Sequence, residues 1–150
     1  MEHAYNKLFL PEFQQNLGFA FDFAINVCGV ESDTFFDYFI SSKISKEIEM
    51  ESPKFVCGCY GTELALFNFE RVGFDFDENI LNQDICRFDR TPEYWAGWIL
   101  AYYQGQTGIS FSTIREKINF RQIVQMYNPL HEASEEKFVE VMDGIFNKQN

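Results

Sequence analysis

The sequence predicts an all-α domain of six or seven helices across residues 1–150, with room for one short β-pair near Phe55. Three observations carry this expectation. Apolar residues recur at helical spacing, not in alternation, along most of the chain. Helix start and stop residues stand where they are needed, as Pro11 and Gly29 do around the first apolar stripe. No internal repeat, low-complexity tract or interdomain linker divides the 150 residues.

The first helix should span residues 11–28, with Phe13, Leu17, Ala20, Phe21, Ala24, Ile25 and Cys28 on its buried face and Asp22 and Asn26 sharing another. A second helix is expected from Ser32 to Ile48, capped by Ser32 or Asp33 and closed by Pro53. Phe36, Phe39, Ile40, Ile44 and Ile48 form its stripe, and Lys43, Lys46 and Glu47 should face water. Lys54 to Tyr60 leans towards β structure but is short, and a turn entering the next helix is the alternative. A third helix runs from Gly61 to Val72 with Leu64, Leu66 and Phe67 apolar, stopped by Gly73. Residues 74–90 lack a period and are acidic through Asp75, Asp77, Glu78, Asp84 and Asp89, which marks a loop long enough to carry function.

The fourth helix, Pro92 to about Gln104, is the most informative stretch. Thr91 suits the N-cap, Pro92 the first helical position, and Glu93 the positive end of the helix dipole. Trp95, Trp98, Ile99 and Tyr102 follow the i, i+3, i+4, i+7 pattern of a buried stripe. Tyr94 and Tyr103 lie off that stripe and are harder to hide. Gly97, Ala101 and Gly105 recur every four residues, so a neighbouring backbone can approach, at roughly 1 kcal/mol of helix propensity per glycine. After Gly108 a short helix should start at Ser110 or Ser112 and run through Ile118. Another covers about Phe120 to Tyr127, ended by Asn128-Pro129, and the last runs from Ser134 to about Phe146 on Phe138, Val141, Met142 and Ile145.

Composition narrows the function classes. With 18% aromatic residues the chain is not disordered, so its net charge of −11 belongs to a folded surface. Such a shell disfavours direct contact with nucleic acid or anionic membranes and suits a basic protein partner. The charge is uneven: residues 1–90 hold 16 acids and 7 bases, residues 91–150 hold 7 and 5, so an electrostatic surface is expected in the first half. The opening Met1-Glu2-His3-Ala4-Tyr5-Asn6-Lys7 does not read as a signal peptide, and the longest apolar run is too short to span a bilayer. Cys28, Cys57, Cys59 and Cys86 do not form a secreted disulfide framework, so a reduced, cytoplasmic setting is expected.

The reactive motifs are weak. Cys57-Gly58-Cys59 has one residue between its thiols and no second ligand pair, so no metal is expected there. Asp75-Phe76-Asp77-Glu78-Asn79 begins like a calcium loop, but Ile80 stands where Gly is required and Cys86 where a bidentate Glu is required. No glycine-rich phosphate loop is present, and no cofactor is expected. His131 is the single plausible general base, in competition with a role at the entry to the last helix. Residues 111–127 could form a helix-turn-helix with Arg115, Lys117 and Arg121, but the overall charge opposes DNA. The best contact candidates are therefore Tyr94, Trp95, Trp98, Tyr102 and Tyr103, since Tyr and Trp bury much area and keep a polar tip, together with Asp75, Asp77 and Glu78 of the acidic loop.

The run Thr91-Pro92-Glu93-Tyr94-Trp95-Ala96-Gly97-Trp98, with Leu100-Ala101-Tyr102-Tyr103-Gln104, resembles a family of small Firmicutes proteins. The resemblance continues through Leu17-Gly18, Asp22, Cys28-Gly29, Pro53 to Val56, Gly61, Glu63, Leu64, Tyr127 to Glu132, Phe138-Val139 and Met142. It departs at Gly105-Gln106, where relatives tend to carry an aromatic. Members of that family look to be encoded beside ADP-ribosyltransferase-like toxins. The resemblance thus implies an antitoxin or accessory protein that binds a protein partner, and it carries over no catalytic residues. A non-enzymatic acidic binding protein is the leading expectation. The alternative is an acidic mimic of nucleic acid that occupies a DNA- or RNA-binding protein.

Overall fold

The computed structural model describes residues 7–56, 60–82 and 90–148. Cys57, Cys59, Cys86, Asp84 and Asp89 lie outside the described residues. Within them the chain is all-α, and no strand is present, so the β-pair near Phe55 is replaced by a single helical turn.

Helix α1 (Leu10–Asp22) follows a 3₁₀ turn (Lys7–Phe9) and continues into a π-helical turn (Phe23–Val27). Together they cover the predicted first helix. The face shared by Asp22 and Asn26 is real: the Asn26 amide donates to Asp22 Oδ1 at 2.8 Å. Gly29 follows with φ +73°, a conformation in which a Cβ is strained.

The predicted helix 32–48 is two helices, α2 (Ser32–Ser41) and α3 (Ile44–Glu49). The break has a local cause. The buried Ser42 hydroxyl donates to Asn68 Oδ1 at 2.9 Å and accepts from Ile44 N–H at 3.2 Å, while Lys43 turns left-handed at φ +71°. The N-cap is neither Ser32 nor Asp33. Glu31 takes that place and accepts from Thr34 N–H at 3.0 Å. Asp33 instead reaches across and accepts from Phe120 N–H at 2.6 Å, capping a helix 87 residues away. Asp33→Ala should therefore cost about 1–2 kcal/mol, read from the urea midpoint, although the residue sits in the first turn of a different helix.

α4 (Pro53–Val56) is one turn, and α5 (Gly61–Val72) has the predicted ends, with Gly73 at φ +73°. Its inward face is Leu64, Ala65, Asn68 and Phe69, and Leu66 and Phe67 are half-buried. The next residues alternate. Phe74 and Phe76 turn onto Phe69, with centroids at 4.8 and 5.7 Å, while Asp75 and Asp77 face water. A 3₁₀ turn (Glu78–Asn82) follows, begun by Asp77 Oδ1 accepting from Asn79 N–H at 3.0 Å.

α6 (Pro92–Thr107) is the axis of the fold and runs three residues beyond its expected end, to Gly108 at φ +71°. Its small-residue face is the seam with α1. A Cβ on Gly97 would lie 2.8 Å from the Leu17 carbonyl oxygen, and one on Gly18 would lie 2.9 Å from that of Tyr94. Two facing glycines thus let the two backbones touch. α7 (Phe111–Lys117), α8 (Phe120–Gln125) and α9 (Tyr127–Leu130) wrap the far side, and α10 (Glu135–Lys148) lays Phe138 and Met142 into the core, Phe138 against Trp95 and Tyr103. At the centre Phe21 stacks on Phe120 at 4.0 Å and meets the edges of Phe35, Phe36 and Phe39. Among the described residues no helix is long and apolar enough to cross a membrane.

Six of the 16 acids of the first half are tied to other parts of the fold. Asp22 accepts from Asn26 and Thr91, Asp33 from Phe120, and Glu49 from Phe111 N–H at 2.7 Å. Glu47 pairs with Arg71, Asp37 with Arg115 and Glu31 with Arg121. The latter two pairs also occupy two cations of the 111–127 helix pair that a DNA-reading face would need. Burial alone would raise the Glu31 carboxyl. The Asp33 and Thr34 N–H groups, with Arg121 and Ser32, outweigh this and pull it from 4.5 to about 2. A depressed folded-state pKa gives stability that is complete above the unfolded value and lost as pH falls through the folded one. Stability should fall between pH 4.5 and about 2, and Glu31→Gln should flatten that part of a urea-midpoint profile.

Candidate functional site: an aromatic cup at the start of α6

One hydroxyl fixes the entry to α6. Thr91 Oγ1 accepts from Tyr94 N–H at 3.0 Å and donates to Asp22 Oδ1 at 2.6 Å, tying the helix start to the end of α1. Arg90, just before it, is exposed. Its guanidinium lies 5.3 Å from the Tyr94 ring centroid. Arg71, Arg115 and Arg121 each hold a carboxylate, whereas Arg90 makes no ion pair among the described residues.

The cup has a volume of about 240 Å³ and is lined by Arg90, Tyr94, Trp95 and Trp98 on one side and Tyr127 and His131 on the other. Helical spacing supplies the first wall, because 94, 95 and 98 fall on adjacent faces one turn apart. The second wall comes from the α9 turn. The His131 ring stacks on Tyr127 at 3.9 Å, and its Nδ1 lies 2.6 Å from the Tyr127 carbonyl oxygen. A carbonyl only accepts, so Nδ1 carries a proton, which leaves Nε2 towards Glu132 Oε1 at 3.7 Å. Tyr127 meets Trp95 edge-on at 6.0 Å. The Tyr94 hydroxyl is buried with no hydrogen-bond partner among the described residues. Burial raises its pKa against the opposing pull of Arg90, so it stays protonated near neutral pH.

Of the residues singled out from sequence, the fold brings together Tyr94, Trp95 and Trp98, and adds His131. The expectation that Tyr94 and Tyr103 form an exposed edge is corrected: Tyr94 is 3% and Tyr103 0% exposed. α6 is covered on nearly all sides, so a residue off the first stripe meets another helix, not water. The Tyr103 hydroxyl donates to Asp143 Oδ1 at 3.4 Å on α10, and burial pushes its pKa well up. The predicted stripe is correspondingly less hidden: Trp98 and Tyr102 are half-buried, and Tyr102 reaches Glu136 at 3.5 Å. Asp75, Asp77 and Glu78 are exposed but do not line the cup. Arg90 went unnoticed in the sequence. Its one signal is its position immediately before a strong N-cap.

A smaller groove of about 130 Å³ lies on α5 between Glu63, Leu66, Phe67 and Glu70, with Lys54 Nζ 4.3 Å from the Phe67 ring centroid. Cys28 is half-buried, and burial pushes its thiol up to about 11, so it carries little thiolate at neutral pH. Chemically, the cup offers aromatic faces to a flat or apolar group, a guanidinium to an anion, and an imidazole nitrogen that accepts when neutral and donates when protonated. No family model, no curated protein and no solved structure matches the chain.

Proposed function

We propose that this chain is a non-enzymatic protein-binding component, an antitoxin or accessory protein that engages an ADP-ribosyltransferase-like toxin through the α6 cup. The observation that carries the reading is the cup itself: a pre-shaped concavity lined by both tryptophans of the chain and held by Thr91 and Asp22. Its volume of about 240 Å³ is below the ~300–1,000 Å³ usual for drug-sized and cofactor pockets, and suits one anchor side chain from a partner. Tryptophan, tyrosine and an arginine at the rim are the residue types that dominate binding hot spots. The resemblance of the Tyr94 to Trp98 motif supplies the class of partner. A nucleic-acid mimic has less support, because six first-half carboxylates face backbone N–H groups, side-chain donors or arginines instead of forming an outward row.

The test is coexpression with the transferase-like neighbour. A stable complex and relief of toxicity are expected, and Trp98→Ala should weaken the complex by roughly tenfold or more while circular dichroism stays helical. Persistent toxicity with no co-purified complex would sink the proposal.

A further inference from the structure

The cup's chemistry also specifies its occupant. It combines a large aromatic floor, Trp95, Trp98 and Tyr127, with Arg90, which holds no carboxylate among the described residues. A site for a lysine or arginine would present rings and carboxylates. Arg90, already over the Tyr94 face at 5.3 Å, reverses that sign and disfavours a cation. In a chain of net charge −11, an exposed arginine at a concave mouth with no ion pair among the described residues offers a local anion site. Nε2 of His131, 3.7 Å from Glu132 Oε1, adds a second polar position on the opposite wall.

The space takes about one residue. That residue must bring an apolar ring and a negative charge within one residue's length. An internal Phe or Tyr has no charge, and an internal Asp or Glu leaves the aromatic floor unfilled. A chain's last residue carries both, because its α-carboxylate sits beside its side chain. Terminal-carboxylate capture is an established mode of peptide recognition. Resting on the protein-binding reading above, we propose that the cup captures the C-terminal residue of the partner, an aromatic one, with its carboxylate on Arg90 and its ring on Trp95 and Trp98.

Both tryptophans of the chain line the cup, so intrinsic fluorescence reports on this site. The full-length protein is titrated at moderate salt with a short Ser-Gly peptide ending in Phe with a free carboxylate. Its C-terminal amide, an Ala-terminated version, an internal phosphotyrosine peptide and free phenylacetate serve as comparisons. Saturable binding of the Phe carboxylate peptide is expected, with the amide and the Ala version each weaker by roughly tenfold or more. R90Q should lose the preference for carboxylate over amide, and R90K should restore part of it. Equal binding of the amide, tighter binding of the phosphopeptide, or binding of phenylacetate without the peptide overturns the proposal. So does the absence of binding by any of these probes. The coexpression assay separates the two readings: if Trp98→Ala loses the partner but R90Q does not, the cup still binds protein and the carboxylate assignment fails. If neither variant affects a complex that forms, both fail.

Discussion

Phe21→Ala is expected to destabilise the protein by about 3–5 kcal/mol, enough to remove much of the ~5–15 kcal/mol that holds a domain folded. Phe21 is fully buried, stacked on Phe120 at 4.0 Å and 9°, with Phe35, Phe36 and Phe39 edge-on around it at 5.0, 6.1 and 6.3 Å. It therefore joins α1 and α2 to α8, a segment distant in sequence from both. Removing the ring loses its transfer free energy and leaves a cavity that four rigid neighbours cannot collapse into. Urea denaturation followed by circular dichroism measures the loss, and Phe21→Leu, which keeps more volume, should lose less. A cost below about 1 kcal/mol would mean that this ring cluster is not the centre of the core.

Gly97→Leu is expected to cost about 3 kcal/mol or more, because a side chain there meets backbone, not a side chain that can rotate away. Even a Cβ would stand 2.8 Å from the Leu17 carbonyl oxygen, 3.1 Å from Gly18 Cα and 3.1 Å from Phe21 Cδ2. α1 and α6 would have to separate, opening the seam that Gly18 and Gly97 close. Gly144 on α10 is the internal comparison. Nothing lies within 4 Å of a Cβ added there, so Gly144→Ala should stabilise by about 0.5–1 kcal/mol through helix propensity alone. Opposite signs for the two glycines, in the same denaturation assay, would show that one is a packing glycine and the other a surface one. A tolerated Gly97→Leu would remove the α1–α6 seam from this account.

Much of the fold was legible because its signals are local. The Pro92 start of α6 with its Thr91 cap, the Gly61–Val72 span with its Gly73 stop, and the Ser110 cap of α7 depend on residues within a few positions of one another. The break at Ser42 was not legible, because its hydroxyl is held by Asn68, 26 residues on. Nor was the role of Asp33, a good cap by its own neighbourhood that caps α8 instead. The site divides the same way. Tyr94, Trp95 and Trp98 stood out as a dense aromatic run, but the run alone does not say which rings reach a surface. A single apolar stripe predicts Tyr94 and Tyr103 outside, whereas α6 is covered on nearly all of its faces.

By itself the sequence determined the helical class, most helix ends, the glycine-lined face of α6 and the candidate rings, since these follow from spacing and from capping chemistry within a turn or two. The tertiary structure alone decided that Arg90, Tyr127 and His131 meet Tyr94, Trp95 and Trp98 around one hollow, and that Asp33, Glu49, Asp37 and Glu31 brace helices distant in sequence. Those outcomes depend on contacts between residues tens of positions apart, whose partners are chosen by the packing of the whole core and leave no mark in the neighbouring sequence.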